Sequence, residues 1–158
     1  MPQTSNLTIR TATAADIETI ATFNAALATE SEGKTLAGAT LRAGLTALFA
    51  DPGKGCYFLA ERQKQIVGQT MLTYEWSDWR NGVFWWIQSV YVVPEARGTG
   101  VFGALYRHIE KLATADPGVC GLRLYVDKDN ASAARVYRQL GMQAAHYDML
   151  EKDFVLGK

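Results

Sequence analysis

The stretch Tyr91-Val92-Val93-Pro94-Glu95-Ala96-Arg97-Gly98-Thr99-Gly100-Val101-Phe102-Gly103 decides the fold. Ahead of it, Val83 to Val93 is a long, near-continuous apolar run that reads as a strand buried on both faces. Behind it, Val101, Leu105, Ile109 and Leu112 recur at helical spacing, and Asp116-Pro117-Gly118 stops that helix. Leu122-Arg123-Leu124-Tyr125-Val126 reads as the next strand. Strand, helix and strand in that order imply a parallel pair joined by a right-handed crossover. The glycines therefore lie where a parallel strand ends and a helix begins.

Gly98, Gly100 and Gly103 fit G-x-G-x-x-G, and Asp127 closes the following strand. That is the pattern of a dinucleotide-binding fingerprint. It fails here on three counts. Pro94 to Arg97 separate the first glycine from its strand, the strand comes after half the chain, and too little chain follows Gly103 for a second mononucleotide half. A nicotinamide-dependent oxidoreductase is therefore the remotest reading. The loop chemistry survives. Glycines let several main-chain N–H groups converge on one point at a positively polarised helix start, and Arg97 adds a full charge. Such a turn suits a diphosphate.

The remaining elements follow the same logic. Leu7 to Arg10 reads as a short strand, and a helix capped near Thr13 runs through Ile17, Ile20 and Leu27. Glu30 to Gly38 reads as a polar break, and Leu41, Leu45 and Leu48 mark a second helix that Asp51-Pro52-Gly53 ends near Ala50. Cys56 to Glu61 and Gln65 to Tyr74 make an antiparallel hairpin, and Asn81-Gly82 turns the chain into Val83. Ala131 to Leu140 is a short helix closed by Gly141, and His146 to Leu150 reads as a final strand. The expected architecture is one domain over residues 1–158, a mixed α/β sheet with helices on both faces.

Composition excludes other classes. Sixteen Lys and Arg balance sixteen Asp and Glu, so the chain lacks the basic field of a sequence-independent nucleic-acid binder. No apolar run approaches the roughly 20 residues of a membrane span. Met1 to Arg10 is polar and lacks a signal-peptide core, so a cytoplasmic location is expected. Cys56 and Cys120 have no metal-ligand spacing around them and read as reduced, buried small residues. No metal is expected.

Two segments together resemble the GNAT superfamily of acyl-CoA N-acyltransferases. Tyr91 to Gly100 resembles its strand exit and phosphate loop, and Asn130-x-x-Ala133-x-x-x-Tyr137-x-x-x-Gly141-Met142 resembles its second signature. Ile9-Arg10 with Ala12, Thr13 and Asp16 is similar to its opening strand and helix, so the likeness covers nearly the whole chain. One departure stands out: Phe102 fills the last small position of the Arg-x-x-Gly-x-Gly/Ala loop. The resemblance implies a sheet of about six or seven strands flanked by about four helices, with parallel strands splayed at the acyl-CoA site. It implies acetyl-CoA as cosubstrate and a small-molecule amine as acceptor. Relatives often pair through late strands, so a homodimer is an expectation.

Roles follow residue by residue. The diphosphate would lie on amides of Arg97, Gly98, Thr99, Gly100, Val101 and Phe102, and pantetheine would pair with Val90, Tyr91 and Val92 as an extra strand does. An amide near Tyr91 or Val92 would polarise the thioester carbonyl. Tyr137 is the candidate general acid for the leaving thiolate, and Asn130 caps its helix and touches pantetheine. The family often places a carboxylate where Trp86 or Gln88 stands. Alternation puts Trp86, Gln88, Val90 and Val92 on one face without an acid, so Gln88 could orient a water and Glu75 becomes the candidate base. Glu30, Glu32, Trp76 and Trp79 would line an acceptor pocket for a cationic amine, a pattern similar to diamine (spermidine/spermine-type) acetyltransferases. The missing strand carboxylate keeps a non-catalytic acyl-CoA-binding or sensor domain as the rival.

Overall fold

The computed structural model describes residues 6–156. The chain divides into two compact units, the first ending at Tyr125 and the second beginning at Val126. The first holds β1 (Leu7–Thr11), α1 (Ile17–Glu32), α2 (Gly38–Ala50), β2 (Cys56–Arg62), β3 (Gln65–Ser77), β4 (Gly82–Val92), α3 (Val101–Ala115) and β5 (Val119–Leu124). Its sheet has the order β1-β2-β3-β4-β5. Every neighbouring pair is antiparallel except β4 and β5, the parallel pair that α3 connects.

Each face of the sheet is covered by a helix with a matching apolar stripe. Ile20 of α1 and Leu45 and Leu48 of α2 cluster with Tyr57 and Leu59 of β2. On the other face α3 buries Val101, Leu105, Ile109 and Ala113, spaced four residues apart, as one side of a helix requires. Phe58 of β2 meets His108 of α3 edge to face, at 5.1 Å between ring centroids.

Five expectations are corrected. The sheet has five strands among the described residues, not six or seven. His146 to Leu150 forms no strand, and Tyr147, Met149 and Leu150 are exposed there. β5 starts earlier than expected, at Val119, and stops at Leu124. The polar segment from Glu30 is still helix: α1 runs to Glu32 and ends at Gly33, whose N–H and that of Lys34 close onto Thr29 and Ala28. Polarity there marks a solvated helix end, since the helix breaks only where Gly33 turns left-handed. Cys56 and Cys120 are free thiols, but half-buried rather than buried.

The entry into α1 is tied down electrostatically. Both oxygens of Asp16 accept from the Arg10 guanidinium, at 2.8 and 2.9 Å, and Asp16 also accepts from the Thr13 amide at 2.8 Å. Arg10 bonds Glu61 as well, which joins β1 to β2. Its guanidinium, helped by the Thr13 amide and opposed by burial, holds the Asp16 carboxyl down at about 2 from an ordinary 3.8. A carboxylate whose folded value is depressed stabilises the fold above its unfolded value, and that contribution disappears as pH falls through the folded value. Asp16→Asn is expected to cost roughly 1–2 kcal/mol at pH 7 in urea unfolding. The gap to the wild-type protein should close as the pH is lowered from about 5 toward 2.

Candidate active site

β4 outruns its parallel neighbour. Its ladder with β5 extends from Val83↔Val119 to Ile87↔Leu124, where β5 ends, while β4 continues to Val92 along β3. The edge of Gln88 to Val92 that faces away from β3 therefore has no strand partner within the first unit. Main-chain donors and acceptors shielded from water need a partner, so such an edge suits an extended ligand.

A bulge shapes this edge. Gln69 pairs with Tyr91 and Met71 with Gln88, so Ser89 and Val90 together oppose Thr70. Ser89 carries the extra residue at φ 49°. The bulge resets the alternation. Gln88 and Tyr91 now share the face of Gln69 and Met71, whereas strict alternation grouped Gln88 with Val90 and Val92. A buried polar chain holds the bulge in place. The Gln69 amide donates to the Ser89 carbonyl at 3.1 Å and to Asn24 of α1 at 2.7 Å. Asn24 in turn donates to the Tyr57 hydroxyl at 2.9 Å. Gln69 is completely buried, and its side-chain oxygen has no partner. Burial also pushes the Tyr57 phenol up. None of these four residues is legible as functional in sequence, because their link joins α1, β2, β3 and β4.

Past β4, a single helical turn at Pro94–Ala96 leads into the glycine loop. Gly98 and Gly100 are left-handed, at φ 74° and 84°, and an added Cβ would meet nothing within 4 Å at either. Their role is conformational: both adopt the left-handed backbone that glycine takes without strain. The first intrahelical bond of α3 runs from Ala104 N–H to Gly100 O at 3.0 Å, so the helix supplies no acceptor for the amides of Gly100 and Val101. The Thr99 hydroxyl braces the turn by donating to the Ala96 carbonyl at 2.6 Å. The loop lies against β3 at Gly68, where a Cβ would come within 2.8 Å of Val101 and 3.3 Å of the Tyr91 carbonyl. Phe102 packs toward Tyr106, with 6.3 Å between ring centroids, so its bulk lies along the helix.

The loop's own arginine is engaged elsewhere. Arg97 donates to the Val92 carbonyl at 2.9 Å and to Glu30 at 2.7 Å, and its guanidinium stands 5.6 Å from the Tyr91 ring. It thus clamps the end of β4 to the last turn of α1. A different arginine reaches the loop: Arg62, at the end of β2, donates to the Thr99 hydroxyl at 3.2 Å.

The acceptor residues fall in separate places. Glu30 pairs with Arg97, Glu32 with Lys34 at 2.9 Å, and Glu75 with Arg123. Both carboxylates expected to line the acceptor pocket and the candidate base are already matched by a cation. Glu75 pairs across the sheet with Phe84, so it stands roughly 20 Å along β4 from Tyr91 at about 3.3 Å per residue. The Phe84 ring there lies 3.6 Å from the Arg123 guanidinium and 4.9 Å from that of Arg80. Glu75 is thus remote from the bulge and bound to arginine, which removes it from the place of a direct base. Trp76 and Trp79 are 61% and 86% exposed around the β3–β4 turn, at the end of the sheet away from the loop. Gln88 is half-buried at the bulge and donates to the Thr73 hydroxyl.

In the second unit the other signature is a capped helix, α4 (Ala131–Gln139). Asn130 accepts from the Ala133 amide at 3.0 Å, and Met142 and Gly141 donate back to Tyr137 and Arg138. Most of the motif thus serves to start and stop a helix. Tyr137, within that helix, is half-buried, and burial pushes its phenol up from 10.

The profile of the Acetyltransferase (GNAT) family matches residues 21–142. The chain belongs to that family. It is 44% identical to a possible acetyltransferase from Clostridium difficile 630, whose crystal structure matches 94% of this chain and 98% of that one with a TM-score of 0.87. A predicted acetyltransferase from Clostridium acetobutylicum, crystallised with acetyl-CoA, shares the fold at 18% identity, with a TM-score of 0.75 over 95% of this chain and 97% of that one. Mycothiol acetyltransferase from Mycolicibacterium gilvum (strain PYR-GCK) is 39% identical over 67 residues, which are 38% of this chain and 22% of that protein. The GNAT chain thus spans about a fifth of the length of that curated relative.

A glycine in this GNAT loop and one in the strand beneath it should respond differently. Gly98→Ala meets open space and pays only for the left-handed backbone, about 1 kcal/mol. Gly68→Ala must displace Val101 and is expected to cost roughly 1–3 kcal/mol. Denaturant midpoints of the two variants check the order.

Proposed function

We propose that the chain is an N-acetyltransferase that moves an acetyl group from acetyl-CoA to a primary amine by direct attack, with both substrates bound together. The observation that carries this is the overhang of β4 beyond β5, followed after one helical turn by a loop with two left-handed glycines at the start of α3. A pantetheine arm pairs with Val90, Tyr91 and Val92 there, and the amides from Gly98 to Phe102 take the diphosphate, the Arg97 N–H being spent on the Pro94 carbonyl at 3.3 Å. An amide near Tyr91 or Val92 donates to the thioester oxygen and holds it better as negative charge grows on it.

The chemistry asks for three proton movements. A free amine attacks the thioester carbon and the new C–N bond forms; the attached nitrogen gives up a proton to water, the C–S bond breaks, and the thiolate takes a proton from Tyr137, which water then restores. Tyr137 suits the last step, because a phenol whose ionisation burial disfavours holds its proton at neutral pH and can donate it as the C–S bond breaks. Asn130 supports it by starting the helix that carries it. The amine must first lose its own proton, since alkylamines titrate near 10. Gln88, anchored to Thr73, presents its carbonyl oxygen to a water that carries this proton out to solvent.

The acceptor is read as a primary amine of modest charge. A diamine would need uncompensated carboxylates, and Glu30, Glu32 and Glu75 all have cationic partners. Trp76 and Trp79, exposed at the far turn, offer a hydrophobic approach surface at a distance from the reacting carbon.

The decisive experiment supplies acetyl-CoA and a panel of primary amines to the purified full chain. It reads thiol release together with the mass of the acetylated product. Acetyl-CoA binding without transfer to any amine would instead favour the non-catalytic sensor. Tyr137→Phe is expected to lower turnover by about a hundredfold with acetyl-CoA affinity nearly unchanged. Glu75→Gln is expected to leave the pH dependence of the rate unaltered, and a displaced profile would restore Glu75 as the base.

A further inference from the structure

We propose that Arg62, on a hairpin distant in sequence from the glycine loop, is a phosphate-binding residue of this site and supplies the positive charge that Arg97 spends elsewhere. The proposal rests on acetyl-CoA as the donor.

The charge accounting comes first. Arg97 lies at the loop by sequence, yet its guanidinium is neutralised by Glu30 and held on the Val92 carbonyl. A diphosphate on the loop would find that cation already committed. Arg62 is placed in the opposite way. It donates to Thr99 inside the loop and has no carboxylate partner among the described residues. The adjacent Glu61, its nearest acid in sequence, is bonded to Arg10.

Local geometry explains the placement. β2 and β4 run in the same direction, so the end of β2 and the exit of β4 lie at the same end of the sheet. A two-residue turn at Gln63-Lys64, both with positive φ, closes the hairpin and sets Arg62 opposite Gln65. Glu61 and Arg62 pair in continuous register with Ile66 and Gln65, and successive strand residues point to opposite faces. Glu61 goes to Arg10, while Arg62 goes to the loop at the start of α3.

The Arg62 Nε provides the second observation. It is buried and has no hydrogen-bond partner, although a guanidinium N–H shielded from water is costly to leave unmet. The terminal nitrogens and Nε of a guanidinium form a fork that fits two oxygens of one phosphate. Thr99 occupies one terminal nitrogen and leaves the rest of that fork to a ligand. An anion on the loop amides would satisfy the Nε donor and place a full charge opposite the phosphate. The chemistry recognised is a phosphate ester, which acetyl-CoA carries both as its diphosphate and as its 3′-phosphate.

The test compares wild type with Arg62→Met and Arg62→Gln on three donors: acetyl-CoA, acetyl-3′-dephospho-CoA and S-acetylpantetheine. Both variants are expected to weaken acetyl-CoA by about tenfold and to leave the phosphate-free S-acetylpantetheine unchanged. A loss that persists with the dephospho donor assigns Arg62 to the diphosphate. A loss that vanishes with it assigns Arg62 to the 3′-phosphate. Acetyl-CoA affinity should also fall less steeply with added salt in the variants than in the wild type, which a purely structural brace would not produce. Wild-type affinity in both variants, or an equal loss on S-acetylpantetheine, overturns the proposal. Absence of acetyl-CoA binding by the wild-type protein would instead overturn the donor assignment itself.

Discussion

One constraint organises the molecule: a strand that continues past its parallel partner. Hydrogen bonding between β4 and β5 stops at Ile87 and Leu124, and five residues of β4 extend beyond it. A sheet edge inside a protein is a demand for a partner, since main-chain groups lose water there without gaining a neighbour. The bulge at Ser89 and the glycine turn after Val93 both make this edge usable. The bulge reorients the side chains, and the turn places the start of α3 at its end.

The bulge is expensive and is held in place deliberately. Ser89 sits at a positive φ, and the Gln69 amide fixes its carbonyl from inside the core. Asn24 links that amide to α1, and Tyr57 links it to β2. Buried polar networks lose more than apolar packing when broken, so this chain ties the geometry of β4 to the seating of α1. The Arg97–Glu30 pair makes a second connection between the same helix and the end of β4. The edge that would receive a ligand is thus braced from the helix covering one face of the sheet.

Charge is distributed with similar economy. The chain is neutral overall, and the carboxylates that sequence order places near an acceptor are each paired with a cation. Arg123 lies against Phe84 while bonding Glu75, so this arginine is held by both a ring and a carboxylate. Arg62 reaches the loop with no carboxylate partner among the described residues. A local excess of positive charge in an otherwise balanced protein is a selective feature for an anion, because it does not create the broad field that attracts polyanions.

Local rules were enough to read the strand–loop–helix unit from Tyr91 to Gly103, both helix caps of α4 and the parallel crossover. Each depends on residues within a few positions of one another, where backbone preference and capping chemistry act directly. The extent of α1 was misread because Glu30 and Glu32 look like loop residues, although solvated helix ends are polar too. The face grouping of Gln88, Val90 and Val92 failed because a bulge is a property of two strands, and its register depends on Gln69 and Met71. The engagement of Arg97 with Glu30 spans 67 residues, and the arrival of Arg62 at Thr99 spans 37. Sequence alone determined which segments can form a phosphate turn and a capped helix. Only the tertiary structure decided which charges meet them, because ion pairing follows spatial proximity and desolvation, and neither is written in the order of residues.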